Sequence, residues 1–180
     1  MSFDGTTSWP TGFAEMFNTI HNSSSDDRRY YAAYNKLLNW MFPSWDFLVS
    51  PHHESPDLLV VINHGKPMLF ISVKSERWVS NAGTRMRADA LVRQHYFDML
   101  GECPSPVLWG VSALGTNIRL YQGRTNENII APRYDSSMTQ NHLPRDYLET
   151  AWELDLLSQE GFNAMKNIAA KIKVQLASQA

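Results

Sequence analysis

Two short apolar runs that are separated only by a tight turn place the strongest constraint on the fold. Residues 58–62 and 68–73 flank the sequence His64-Gly65-Lys66-Pro67. Gly and Pro at such positions favour a turn, so the two runs are predicted to pair as a β-hairpin. Neither run alternates strictly between apolar and polar residues, which is typical of central strands covered on both faces. Helices must therefore pack on both sides of the sheet.

Helices are predicted wherever apolar residues recur every three or four positions. Residues 27–41 show this spacing, and the pattern ends before Pro43. A shorter helix over residues 12–21 is predicted to precede it. The last helix carries one apolar stripe, formed by Phe162, Met165, Ile168, Ala169, Ile172 and Leu176.

Residues 84–100 predict a further long helix between the two groups of strands. Thr84 can cap its first turn, and Gly101 can end it. Its apolar face is interrupted by Arg93 and His95, so its helical pattern is weaker than that of the earlier helix.

The remaining apolar runs predict more strands. Residues 45–49 precede the first hairpin, and residues 107–112 and 117–121 form a second hairpin around Ala113-Leu114-Gly115-Thr116. The order helix, strands, helix, strands, helix is typical of an α/β protein with a mixed central sheet between helical layers.

The chain is expected to form a single domain over residues 1–180. A chain of this length buries roughly 70% of the surface that its unfolded form exposes, so it needs no disulfide or structural metal to fold. Residues 1–11 and 177–180 are expected to be loose termini, and residues 126–147 to be mostly irregular.

Charge and cysteine content limit the classes of partner. Sixteen Lys and Arg against eighteen Asp and Glu give a net charge of −2, which argues against attraction of the whole molecule to nucleic acid and leaves a local basic patch open. Cys103 is the only cysteine, so the expected compartment is intracellular, cytoplasmic or nuclear. No segment approaches the roughly 20 apolar residues that span a bilayer, so no membrane partner is expected.

The hairpin is predicted to bring together residues that could carry chemistry. Side chains alternate across a strand, so Ser72, Lys74 and Glu76 would share a face if the extended conformation continues to Glu76. Asp57 begins the neighbouring strand and can lie close to them. A carboxylate, an ammonium group and a second carboxylate at one sheet end could hold a divalent cation and orient a water molecule for phosphodiester hydrolysis.

At these residues the sequence resembles the PD-(D/E)XK nuclease-like superfamily, which has the restriction-endonuclease-like fold, and it is similar to a group of fungal members. The resemblance spans residues 26–173 approximately. It is carried by Lys36-Leu37-Leu38, Pro56-Asp57, Ser72-Val73-Lys74, the helix with Arg87, Asp89 and Gln94, and the stretch from Trp109 to Thr116.

The resemblance implies a catalytic and metal-binding role for specific residues. Asp57 would bind Mg²⁺ or Mn²⁺, and Lys74 would position or activate the attacking water. Ser72 stands where the superfamily has a second acid, and its neutral hydroxyl is a poor substitute for a carboxylate ligand. Two residues could replace that acid. Glu76 is the preferred metal ligand of the two, and Glu54, three residues before Asp57, is the other.

The pair His52-His53 beside Glu54 also invites a zinc interpretation, with Asp57 and His64 nearby. Adjacent residues of a strand point to opposite faces, so the two histidines could not bind one ion from an extended backbone. The zinc site is therefore the weaker hypothesis.

A basic segment follows the second strand of the hairpin. Between Lys74 and Arg93 there are five basic and two acidic residues, and such a concentration of positive charge around an aromatic ring suits phosphate recognition. The alternative is a solvated helix face on which Asp89 pairs with Arg85 and Arg93 four residues away on either side. The candidate nucleic-acid-binding residues are Arg77, Trp78, Arg85, Arg87, Arg93 and Gln94.

Two functions follow from this sequence. The first is a metal-dependent nuclease that hydrolyses phosphodiesters of DNA or RNA, and by analogy with restriction enzymes it could act as a homodimer. The second is a catalytically inactive protein with the nuclease fold that binds nucleic acid or a protein partner, since a site with one matched carboxylate would hold magnesium poorly.

Overall fold

The computed structural model describes residues 2–23, 26–52, 55–135, 137–138 and 142–178. Its helices are α1 (Thr11–Ser23), α2 (Tyr31–Met41), α3 (Ala82–Met99) and α4 (Gln159–Ala177). Its strands are β1 (Phe47–His52), β2 (Ser55–Asn63), β3 (Lys66–Lys74), β4 (Val107–Leu114), β5 (Asn117–Arg124), β6 (Ile129–Ala131) and β7 (Leu154–Asp155).

The strands form one mixed sheet. They are ordered β1-β2-β3-β4-β5-β6, and β7 pairs with β5. All neighbours are antiparallel except β3 and β4, which are parallel and are joined through α3. The predicted α/β protein with a mixed central sheet is confirmed. Because β2 runs against β3, the start of β2 lies at the same edge of the sheet as the ends of β3 and β4.

Both predicted hairpins form, with shorter turns than their sequences indicated. His64 and Gly65 close the first, with φ of 46° and 78°, and Asn63 pairs directly with Lys66. Two residues with positive φ match the right-handed twist of the flanking strands. In the second hairpin Gly115 has φ of 67°, a conformation that favours glycine.

Helices cover both faces of the sheet, as the unbroken apolar strands predicted. Alternate residues of β2 and β3, among them Leu59 and Ile71, belong to a large core with α1, α2 and α4. The residues between them, including Val60 and Phe70, pack with α3 in a second core around Tyr96.

The weak helical pattern of α3 has a structural cause, since polar residues lie on its buried face. Arg85, Asp89 and His95 are all buried there. The helix begins earlier than predicted, and Asn81, not Thr84, caps it by accepting a hydrogen bond from the Gly83 N–H at 2.7 Å.

The N-terminal segment packs against the helices, where a loose terminus was expected. Phe3 is 1% exposed, and its ring lies 4.9 Å from that of Trp40 and 5.8 Å from that of Phe162. Burial of this ring holds the segment in place. Among the helices that the structure describes, none combines the length and the apolar character needed to cross a bilayer.

Candidate functional site

Asp57 and Lys74 meet at the edge of the sheet where β2 begins and β3 ends. The Lys74 ammonium donates a hydrogen bond to Asp57 Oδ2, and the two side chains are 14% and 23% exposed respectively. The pairing between β2 and β3 ends at Leu58 and Ser72, one residue after Asp57 and two residues before Lys74. The hairpin therefore brings one acid and one amine into direct contact at a partly exposed position.

Ser72 lies one row further into the sheet. It is 5% exposed and stands between Leu58 on β2 and Ser112 on β4. Residues paired in this way project from the same face of the sheet, so Ser72 and Ser112 form a matched pair of buried hydroxyls. The row offers neutral oxygens where a second carboxylate was implied.

Glu76 does not join Asp57 and Lys74. Strand β3 ends at Lys74, and Glu76 opens a 3-10 turn (Glu76–Ser80), so the condition under which Glu76 would share a face with Ser72 and Lys74 is not met. Its carboxylate instead forms an ion pair with Arg29 and lies 3.5 Å from His21 Nδ1.

The ion pair with Arg29 also favours the ionised form of the Glu76 carboxyl. Partial burial alone would raise the pKa of the Glu76 carboxyl, but the hydrogen bond and charge of Arg29 outweigh that effect and hold the pKa below its usual value. Glu76 is thus an ionised partner of Arg29, and this geometry does not make it a ligand shared with Asp57.

The described residues do not fit a magnesium or manganese ion. Across the described ranges, no group of three or more His, Cys, Asp or Glu side chains is close enough to hold a metal. Asp57 supplies one carboxylate that already pairs with Lys74, whereas Mg²⁺ requires near-octahedral oxygen ligands. Glu54 and His53, which belong to the nuclease and zinc hypotheses, lie outside the described residues.

A half-buried tryptophan lies beside the ion pair. The ring centroid of Trp78 is 5.2 Å from Lys74 Nζ and 5.6 Å from Arg87 Cζ, both within cation–π range. Arg77 and Arg87 are exposed. We call Lys74, Arg77, Trp78 and Arg87 the β3-end patch.

Arg85 is not part of this patch, contrary to the expectation from the sequence. It is 3% exposed, and its guanidinium donates to the backbone carbonyls of Tyr147, Val79 and Arg145 at 2.8, 2.6 and 2.8 Å. These contacts fasten α3 to distant segments and remove Arg85 from any surface that a nucleic acid could reach.

Arg93 and Gln94 also have partners on the protein. Arg93 binds the Asp89 carboxylate through Nε at 2.7 Å and Nη2 at 3.2 Å, which is the intrahelical pair that the alternative interpretation predicted. The Gln94 amide donates to Asp98 at 3.0 Å on the exposed side of the helix. Neither residue contributes to the β3-end patch.

His95, which in the sequence only interrupts the apolar face of α3, is buried against β3. It is 7% exposed and packs edge-on against Phe70 with 5.9 Å between ring centroids. Burial lowers the pKa of His95 to about 4, and the charges of His52 and Lys74 act in the same direction against that of Asp98. At neutral pH the ring is therefore uncharged.

Comparison with known proteins finds no matching family model, curated protein or solved structure. The resemblance to the PD-(D/E)XK superfamily consequently depends on the motif residues and the order of elements alone.

Proposed function

We propose that this protein has a nuclease-like fold and binds the phosphate backbone of DNA or RNA at the β3-end patch, without an intact hydrolytic metal site. The observation that carries the proposal is the position of Lys74, which is held by Asp57 beside Trp78 at the open edge of the sheet. Arg87, which is exposed at the same edge, makes the second cation–π contact with the Trp78 ring.

The charge of the patch supports phosphate binding. Lys74, Arg77 and Arg87 against Asp57 leave a local charge of +2, whereas the chain as a whole carries −2. Exposed Lys and Arg side chains supply most of the sequence-independent affinity for nucleic acid. A tryptophan among them offers a surface for stacking of an unpaired base.

The same geometry argues against hydrolysis by the described residues. Phosphodiester hydrolysis of this class depends on a metal that orients water and neutralises charge. One carboxylate in an ion pair and a neutral serine do not supply the oxygen ligands that this metal needs. Hydrolysis is therefore not the function that we propose for this site.

A second candidate function is Mg²⁺- or Mn²⁺-dependent hydrolysis of nucleic acid. The contact between Asp57 and Lys74 favours it, because that pair is what the resemblance implies for a nuclease. The missing carboxylate would then come from Glu54, three residues before Asp57 in the chain.

Fluorescence anisotropy with labelled single- and double-stranded DNA and RNA tests the first proposal. Replacing Arg87 with Ala should weaken binding several-fold. The slope of log affinity against log salt concentration should also fall by about the amount that one phosphate contact contributes. Arg124→Ala is the matched control. Arg124 is also exposed, but it is the last residue of β5 and lies seven residues, roughly 23 Å along the strand, from the first residue, Asn117. Equal effects of the two substitutions, or no binding by the native chain, would contradict the proposal and favour a protein partner.

Gel analysis of the same nucleic acids with Mg²⁺ or Mn²⁺ tests the second candidate. Cleavage that is lost in Asp57→Ala and in Glu54→Ala would establish hydrolysis and overturn the proposal of an incomplete site. Binding without cleavage is the result that we expect.

A further inference from the structure

A second cluster of charged residues lies between α3 and β5. Its centre is Asp89, whose side chain is 3% exposed. The Asp89 carboxylate accepts hydrogen bonds from Arg93 at 2.7 and 3.2 Å, from Arg119 Nη1 at 3.1 Å and from the Tyr121 hydroxyl at 2.8 Å. Four donors thus satisfy this one carboxylate.

The charges of this cluster do not balance. Two guanidinium groups around one carboxylate leave a charge of +1, and the side chains of Arg93 and Arg119 are only 15% and 11% exposed. A charge held largely out of water is costly unless a partner of opposite sign lies close to it. The Asp89 carboxylate already accepts four hydrogen bonds. An additional anion would therefore be needed to neutralise the remaining positive charge of the cluster.

The cluster forms one wall of an open cleft of about 520 Å³, a volume within the range of small-ligand sites. Arg133, Tyr134 and Tyr147 also line the cleft. The acidic residues along the cleft, Asp135, Asp146 and Glu149, are exposed to solvent, where water and salt screen their charges.

We infer that this cleft binds a small oxyanion, a phosphate or a carboxylate, through Arg119 and Arg133. The planar guanidinium of arginine suits such groups, because two parallel N–H donors can bind two oxygens of one anion. The cleft is distinct from the β3-end patch, because none of Lys74, Arg77, Trp78 and Arg87 lines it. The inference does not depend on nucleic-acid binding at that patch.

Isothermal titration calorimetry with inorganic phosphate, at an ionic strength kept constant with sodium chloride, tests this inference on the full chain. The native protein should bind phosphate saturably. Arg119→Gln should weaken binding at least tenfold, because it leaves the electrically neutral pair of Asp89 and Arg93. Arg133→Gln should weaken it several-fold, and Arg124→Gln, at an exposed position at the end of β5, should leave it unchanged.

Titration with acetate distinguishes a carboxylate ligand from a phosphate, and saturable binding of either anion supports the inference. The absence of saturable binding for both anions, or native affinity in both Arg119→Gln and Arg133→Gln, would overturn it. If Arg119→Gln does not fold, the exposed Arg133→Gln decides. Arg119 and Arg133 line this cleft and do not belong to the β3-end patch, so failure of the proposed function leaves this test intact.

Discussion

At the scale of single residues, Ser72 lies where the superfamily motif has its second acid. It shares a sheet row with Leu58 and lies two residues before Lys74. Replacing Ser72 with Asp would add a carboxylate on the strand face that Ser72 shares with Lys74. We expect Ser72→Asp to raise the affinity for Mn²⁺ at least tenfold over the native chain, measured by calorimetric titration.

Ser112→Asp provides the matched control for this substitution. Ser112 is 2% exposed and occupies the same row on β4, one strand further from Asp57. Both variants bury an extra carboxylate, but only position 72 lies within the hairpin that carries Asp57. A similar Mn²⁺ affinity in both variants would show that the acid position of the motif has no special geometry here.

His95 makes the stability of the protein depend on pH. Its pKa is about 4 in the folded chain, whereas its ordinary value is 6.5. Between these values the unfolded chain binds a proton that the folded chain does not, so stability falls as pH is lowered through that window and is retained above it. The loss amounts to about 3 kcal/mol over the whole window, at about 1.4 kcal/mol per pH unit.

Urea unfolding at pH 7 and pH 4.5 measures this effect. In His95→Gln the free energy of unfolding should fall less between the two pH values than in the native chain, because residue 95 no longer takes up a proton on unfolding. An equal fall in both proteins would show that His95 is not held uncharged by its surroundings. Other titrating groups contribute equally to both proteins and cancel in the comparison.

At the scale of secondary-structure elements, Arg85 connects α3 to two segments of the chain. Its three bonds to backbone carbonyls reach back to Val79 and forward to Arg145 and Tyr147. Arg85→Met should lower the free energy of unfolding by about 3 kcal/mol, because three partly buried hydrogen bonds from a charged donor are lost. Nucleic-acid affinity of the folded variant should stay as in the native chain.

Arg87→Met, two residues further along α3, is the matched control, and we expect it to change nucleic-acid affinity and not stability. Arg87 is exposed, so stability should change by about 0.5 kcal/mol or less, while nucleic-acid affinity should fall. Thermal unfolding and anisotropy on both variants provide the comparison. Loss of affinity in a stable Arg85→Met protein would show that Arg85 does contribute to nucleic-acid binding.

The elements show what local sequence can and cannot predict. The hairpin of β2 and β3 was predictable because its apolar runs and its turn are adjacent in the chain. The side-chain partner of Glu76 was not, because Arg29 lies 47 residues away and only the packed structure brings it near. The carbonyl partners of Arg85 are similarly distant, at up to 62 residues. Polar residues on the buried face of α3 weakened its helical pattern, and the helix, though predicted, begins at Ala82 and not at residue 84.

At the scale of the whole molecule, charge is distributed unevenly over one sheet. The β3-end patch and the cluster of Asp89, Arg93 and Arg119 each carry a local positive excess, on a chain with a net charge of −2. Binding of nucleic acid should consequently be confined to a small site and be strongly weakened by salt. The contact between Asp57 and Lys74 controls how much positive charge that site presents.

Salt-dependent affinity of two charge variants at this contact is the most direct test. Asp57→Asn removes the acid that neutralises Lys74, so it should bind DNA or RNA about three- to tenfold more tightly, with a steeper dependence on salt. Lys74→Met removes the amine and leaves the acid, so it should bind more weakly by a similar factor. Anisotropy titrations on folded variants that move affinity in opposite directions would support phosphate binding beside this pair. Unchanged affinity, or a change in the same direction in both, would contradict it.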